Sequence, residues 1–255
     1  MQNALGLEVF MKIFTPKTKT FGPDNHFSPA TCTFMQNLHR HRMDKIWFEK
    51  HRAQYEKVLL NPFRHLVQRL EGLMLAIDPY FITTPAIGKT ISRIYRDTRF
   101  SNDKSLFRSN MWFVFKRPGD QDKEFPGFFF ELNRQGFLYG LGAYRNSSAK
   151  MALLRRAIKE NLPTFKAALR PLQKTHMVLE GEDYQRQYRD EFPHLPQVQE
   201  WFQKKYCYLM TAYPWTEKIY DQDYLADLVG RDFYQCRKIY EFLWTALKVK
   251  SSKQL

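Results

Sequence analysis

The sequence predicts an α+β protein: a single domain with a central antiparallel sheet and N- and C-terminal helices packed against it. Three observations carry this expectation. Apolar residues recur at helical spacing before Asp78 and after Ser147, whereas aromatic and β-branched runs separated by turn residues fill the middle. No helix-length segment lies between those runs, so a parallel crossover has no room.

Residues 1–33 read as an irregular lead-in, with Thr, Lys, Gly and Pro concentrated from Thr15 to Pro29. Its apolar pieces Ala4–Leu7 and Val9–Phe14 are interrupted by Glu8 and Lys12, and no small-residue cleavage site follows, so no signal peptide is expected. The domain itself is assigned to 34–248 and 249–255 form a short basic tail, with Lys248, Lys250 and Lys253 read as solvated charge.

A short helix is expected around Thr33 to His41. Asp44 is placed to cap a second one carrying Trp47, Phe48, His51, Tyr55 and Val58. Asn61-Pro62 reads as a fresh helix start, a cap followed by proline at the first helical position. Phe63, Leu66, Val67, Leu70, Leu73, Met74 and Ile77 then follow the i, i+3, i+4, i+7 rule until Asp78-Pro79 ends the run.

Strands are expected at Ile91–Tyr95, Met111–Lys116, Phe128–Asn133 and Phe137–Tyr144, punctuated by Pro118-Gly119 and by Asn133 to Gly136, the last two pairing as a hairpin. Helices resume after Ser147-Ser148 through Met151, Leu154, Ile158 and Leu162, with Pro163 bending or restarting the run. Pro196–Tyr208 is a further helix, Asp221–Val229 another, stopped by Gly230, and Phe233, Cys236, Ile239, Tyr240, Leu243 and Leu247 mark the last.

Composition bounds the function. With 44% hydrophobic residues, 22 Phe, 14 Tyr, 5 Trp and only 11 Gly, the chain is excluded from the disordered, collagen-like and disulfide-scaffold classes. A net charge of +14 favours anionic partners: nucleic acids, nucleotides, phosphorylated metabolites or anionic membrane. Three cysteines, odd in number and far apart, argue for a reducing, cytoplasmic setting. No stretch reaches the ~18 apolar residues a membrane span needs.

The charge is concentrated. From Arg93 to Arg117 the cations Arg93, Arg96, Arg99, Lys104, Arg108, Lys116 and Arg117 face only Asp97 and Asp103. On a strand that persisted through this stretch, Arg93, Tyr95, Asp97 and Arg99 would share one face. A guanidinium offers paired donors that match phosphate or carboxylate oxygens, with Asp97 orienting the fork rather than acting as a base. The competing reading is a set of structural salt bridges at a loop entry.

The same stretch, Arg93-Ile94-Tyr95-Arg96-Asp97-Thr98-Arg99-Phe100-Ser101-Asn102-Asp103-Lys104, resembles the RxYRDxRFSxDK hallmark of the family called domain of unknown function 2461. Trp47-Phe48 with Tyr55, Gly127-Phe128-Phe129, Gly140-Leu141-Gly142-Ala143-Tyr144 and the helix from Leu154-Arg155 to Ile158 extend the resemblance from Phe34 to Leu247. The chain departs from it at Met43-Asp44-Lys45-Ile46, where the family carries paired asparagines, and at Leu106-Phe107-Arg108, where the family has Pro-Tyr-Lys. The resemblance implies a single α+β domain and supplies no reaction.

Other constellations are weaker. His39, Arg40, His41, Arg42 and Lys45 read as a solvated basic patch, and His39, His41 and His51 lack the spacing of a metal site. Glu131 with Asp97 or Asp103 has the carboxylates of a metal-dependent phosphodiesterase, but Asn133 stands where one common nuclease motif needs lysine. No phosphate loop, GxSxG elbow or HExxH motif is present. Trp112, Phe113, Phe115, Phe128, Phe129, Phe130, Phe137 and Tyr139 interleave with Lys116, Arg117 and Arg134 as in base-stacking platforms, though most read as core.

The expected function is binding of a phosphorylated or other anionic small molecule by Arg93, Arg96, Asp97, Arg99, Ser101, Asp103, Lys104 and Arg108. A nucleic-acid-binding module is the alternative, or a non-enzymatic scaffold whose Arg-Asp network is structural. No catalytic residue, metal or cofactor is assigned.

Overall fold

The structure, a computed structural model, describes residues 25–99, 101–118, 124–143, 147–188 and 190–248, with the side chain of Gln222 excepted. The lead-in before Asn25, Phe100, Gly119 of the expected turn, Tyr144 and the basic tail from Val249 therefore lie outside the described residues. The fold is α+β with a five-stranded open antiparallel sheet of order β1-β2-β3-β5-β4. Two compact units are distinguished within the chain: Met1–Phe115 with Phe129–Leu138 and Ala212–Arg231, and Lys116–Phe128 with Tyr139–Thr211 and Asp232–Leu255.

In the first unit, α1 (Pro29–Arg40) begins four residues before the expected Thr33. Ser28 is extended, its N–H donates to Thr31 Oγ1 at 3.0 Å, and Pro29 sits where its missing N–H costs nothing. Asp44 caps α2 (Lys45–Lys50) as expected, Oδ1 accepting from the Trp47 N–H at 2.8 Å. After a break at His51 the chain continues through α3 (Arg52–Tyr55), a wide π-type turn (Glu56–Leu60) and α4 (Asn61–Ile77).

Asn61 therefore does not start a new helix. Its backbone is helical and its N–H bonds back five residues to Glu56 O. Pro62 has no N–H for the Val58 carbonyl, and that carbonyl instead accepts from the buried Thr31 hydroxyl at 2.7 Å. The sequence signal for a start was a proline absorbed inside a continuous helix. α4 buries the expected Phe63, Leu66, Val67, Leu70, Leu73 and Met74, and ends at Asp78-Pro79. Phe63 packs edge-on to Phe113 of β1 (Met111–Phe115) and Phe130 of β2 (Gly127–Leu132).

Ile91–Tyr95 is not a strand. It makes isolated bridges, Ile91 with Phe113 and Tyr95 with Phe107, because the chain turns away after Arg96 and returns at Leu106. Arg96 N donates to Leu106 O and Arg108 N to Ile94 O, both at 2.9 Å, closing a compact loop. The shared face expected for Arg93, Tyr95, Asp97 and Arg99 is thereby lost. The hairpin of β2 with β3 (Gly136–Gly142) is as expected: Asn133 N donates to Gly136 O, and Asn133 Oδ1 accepts from the Gln135 and Gly136 N–H groups.

In the second unit, Ser147 Oγ caps α5 (Ser148–Glu160), and Pro163 restarts the chain as α6 (Leu162–Leu169). β4 (Val178–Glu180) was not anticipated. The expected Pro196–Tyr208 helix is shorter: α7 ends at Gln203, and Tyr208 opens β5 (Tyr208–Pro214), which pairs antiparallel with β4 through Leu179 and Leu209. Nor does Gly230 stop a helix. α8 (Gln222–Gln235) runs through it, an interior glycine costing only about 1 kcal/mol against the packing of its neighbours. Phe233 of α8 and Tyr240 of α9 (Arg237–Lys248) both pack on Phe128, and the Tyr139 hydroxyl donates to buried Asp232 at 2.8 Å. Phe113, Phe115, Phe128, Phe130 and Tyr139 are fully buried core.

Candidate functional site

The loop closed by Arg96 and Leu106 is held to the helical entry of the first unit. Leu106 N and Phe107 N both donate to the Arg42 carbonyl, at 2.9 and 3.1 Å. The Phe107 ring stacks on Phe48 at 4.4 Å, and Tyr95 packs on both. The Tyr95 hydroxyl donates to Glu49, which Arg52 grips with two hydrogen bonds. Those donors, Arg52 first, hold the Glu49 carboxyl below its ordinary range.

Within the loop the cations divide. Arg99 closes on Asp97 through Nε at 3.0 Å and Nη2 at 2.7 Å, both side chains exposed, and this fork holds the Asp97 carboxyl at about 2. Lys104 donates to the Thr98 carbonyl at 3.0 Å. Arg93 is exposed beside Gly88, and the Arg108 guanidinium lies 4.7 Å over the Trp112 ring. These five of the eight expected site residues do not converge on one point.

The remaining three do, and they bring in Ser105, which the sequence reading did not single out, and Arg42, which it placed in the basic patch. Arg96 Nη1 meets Asp103 Oδ2 at 3.1 Å and Nη2 donates to Ser101 Oγ at 3.2 Å. Asp103 Oδ1 accepts from the Ser105 N–H and hydroxyl, and Arg42 Nε donates to Ser105 Oγ at 3.2 Å. The Ser105 donors lead in holding the Asp103 carboxyl below its usual value, with Arg96 and Arg42 adding to it. One guanidinium thus holds the carboxylate directly and a second reaches it through the Ser105 hydroxyl. Arg96 Nε, buried, has no hydrogen-bond partner.

Beside Arg42, Trp47 is enclosed by two imidazoles: His41 at 4.7 Å and nearly parallel, His51 at 4.3 Å. The expected basic patch is therefore partly a packed stack, and His39, against Arg134 and Arg42, has its affinity for a proton lowered chiefly by desolvation. Glu131 accepts from Asn110 and Asn133, and burial raises its carboxyl, so Asp97, Asp103 and Glu131 each serve different neighbours. Among the described residues no group of three or more His, Cys, Asp or Glu side chains is placed to hold a metal ion.

In the second unit Arg155 is 5% exposed. It donates to the Phe202 carbonyl at 2.7 Å and to that of Lys204, with Tyr188 stacked 4.3 Å away. This guanidinium closes the carbonyl end of α7 and is structural.

A family model described as "Conserved hypothetical protein (DUF2461)" matches residues 30–242. No curated protein and no solved structure matches the chain.

Proposed function

The chain belongs to the domain of unknown function 2461 family, and for this member we propose binding of a phosphorylated or otherwise anionic small molecule at Arg42, Arg96, Ser101, Asp103 and Ser105. One observation carries the reading: Arg96 pairs directly with Asp103 while Arg42 meets the same carboxylate only through the Ser105 hydroxyl, so two guanidinium groups are set against one carboxylate and the cluster keeps a surplus positive charge. The unpartnered Arg96 Nε leaves one buried donor without an acceptor, a cost that a bound oxyanion would offset.

Nucleic acid is the weaker partner here, because rings that a stacking platform would expose, such as Phe113, Phe128 and Phe130, are core. Three free thiols, Cys32, Cys207 and Cys236, support a cytoplasmic setting, and no described helix is long and apolar enough to cross a membrane.

Titration of the full chain with inorganic phosphate and a nucleotide and sugar-phosphate panel tests this. Removing one charge-assisted donor by Arg96→Ala or Arg42→Ala should weaken binding by about 10- to 100-fold. Absence of any anion that out-competes chloride, or equal affinity in both variants, overturns the proposal and leaves the network a loop-fixing device.

A further inference from the structure

The segment joining α1 to α2 carries a feature that folding does not explain. From Arg42 to Ile46 five consecutive residues are exposed, and two are large aliphatics: Met43 is 59% exposed and Ile46 70%. They are rigidly presented. The Arg42 carbonyl is pinned by two N–H donors, Asp44 N donates to His41 O at 2.8 Å, and Asp44 caps α2.

The surroundings identify the occupant. The carboxylates of this segment are engaged, Asp44 with the Trp47 N–H and Glu49 with Arg52 and Tyr95, whereas Lys45 and Lys50 are exposed and make no ion pair among the described residues. Arg40 and Arg42 add exposed positive charge on the other side of Met43. A second copy of the chain would set these cations against themselves and add +14 to +14, so self-association is disfavoured. Base stacking is disfavoured as well, because the neighbouring aromatic, Trp47, is already stacked with both His41 and His51. Met43 and Ile46 are exposed aliphatics on a segment that also carries exposed Arg40, Arg42, Lys45 and Lys50, the chemistry that enters the acyl boundary of an anionic bilayer while lysine and arginine stay among the headgroups.

We infer that Met43 and Ile46, with Arg40, Arg42, Lys45 and Lys50, form a peripheral docking surface for anionic lipid membrane. It shares Arg42 with the proposed anion site, but Met43 and Ile46, on which the test turns, lie outside that cluster.

The test is co-sedimentation of the full chain with phosphatidylcholine vesicles and with mixed phosphatidylcholine and phosphatidylserine vesicles. The chain should bind the mixed vesicles, hold to them less as salt rises, and leave pure phosphatidylcholine in the supernatant. Met43→Ser with Ile46→Ser, both at exposed positions, should lower the partition onto mixed vesicles by about tenfold with an unchanged unfolding midpoint and unchanged anion binding. No binding to mixed vesicles overturns the inference. So does binding that the serine pair leaves intact, which is bare charge attraction, and so does a single-stranded oligonucleotide that binds through Met43 and Ile46 while vesicles do not.

Discussion

The Thr31 hydroxyl donates to the Val58 carbonyl at 2.7 Å, across 27 residues of sequence, and replaces the amide hydrogen that Pro62 lacks. A buried carbonyl left without a donor costs more than the bond itself contributes. Thr31→Val keeps the shape of the side chain and removes the donor, so it should destabilise the protein by about 1–3 kcal/mol, read from the denaturant midpoint. Pro62→Ala, which returns an N–H to the same turn, should recover part of that loss. If Thr31→Val is neutral, the carbonyl has another donor and this account of the π-type turn fails.

Gly136 tolerates no side chain for two independent reasons. Its φ of +155° is one that residues with a Cβ rarely adopt, and a Cβ there would lie within van der Waals distance of the Tyr213 carbonyl, with Pro214 backbone atoms at 2.8 and 2.9 Å. Backbone cannot step aside as a flexible side chain would. Gly136→Ala should therefore exceed the ordinary ~1 kcal/mol of a point substitution by several-fold, lowering the thermal midpoint sharply or preventing soluble expression. Gly88→Ala, at φ +79° but with only the Arg93 side chain at 3.8 Å, should cost less.

These two sites mark what was legible in the sequence. Signals that act within a few residues survived: Asp44 as a cap, the apolar stripe of α4, Asn133 and Gly136 as a hairpin turn. Signals that depend on distant partners did not. α7 ends at Gln203 with no glycine or proline to announce it, because Arg155, 47 residues earlier, takes the Phe202 carbonyl. Pro62 looked like a start only because Thr31 was out of view. The candidate site divides the same way: the density of Arg and Asp was plain in the composition, but Arg42 reaches Ser105 across 63 residues, and the strand assumed for Ile91–Tyr95 hid a loop that spends Arg99 and Lys104 on their own neighbours.

The carboxylates predict opposite pH dependences in two parts of the first unit. Asp97 is held at about 2 against an ordinary 3.8, and Asp103 also lies below its usual value, so the folded state binds their protons more weakly than the unfolded chain does. Their contribution is complete above about pH 4 and is lost as pH falls through the folded values. Glu131 is displaced upward by burial. The unfolded chain gives up that proton first, so stability falls as pH rises from the ordinary glutamate range toward the raised folded value. Thermal unfolding across acid to neutral pH separates the two. Glu131→Gln should raise the midpoint at neutral pH and leave it unchanged below the ordinary glutamate range, the amide still accepting from Asn110 or Asn133. Asp103→Asn should do the reverse, lowering the midpoint at neutral pH and converging with the parent chain in acid. A Glu131→Gln midpoint that drops at neutral pH would show the carboxylate to be ionised and well served by its two asparagines.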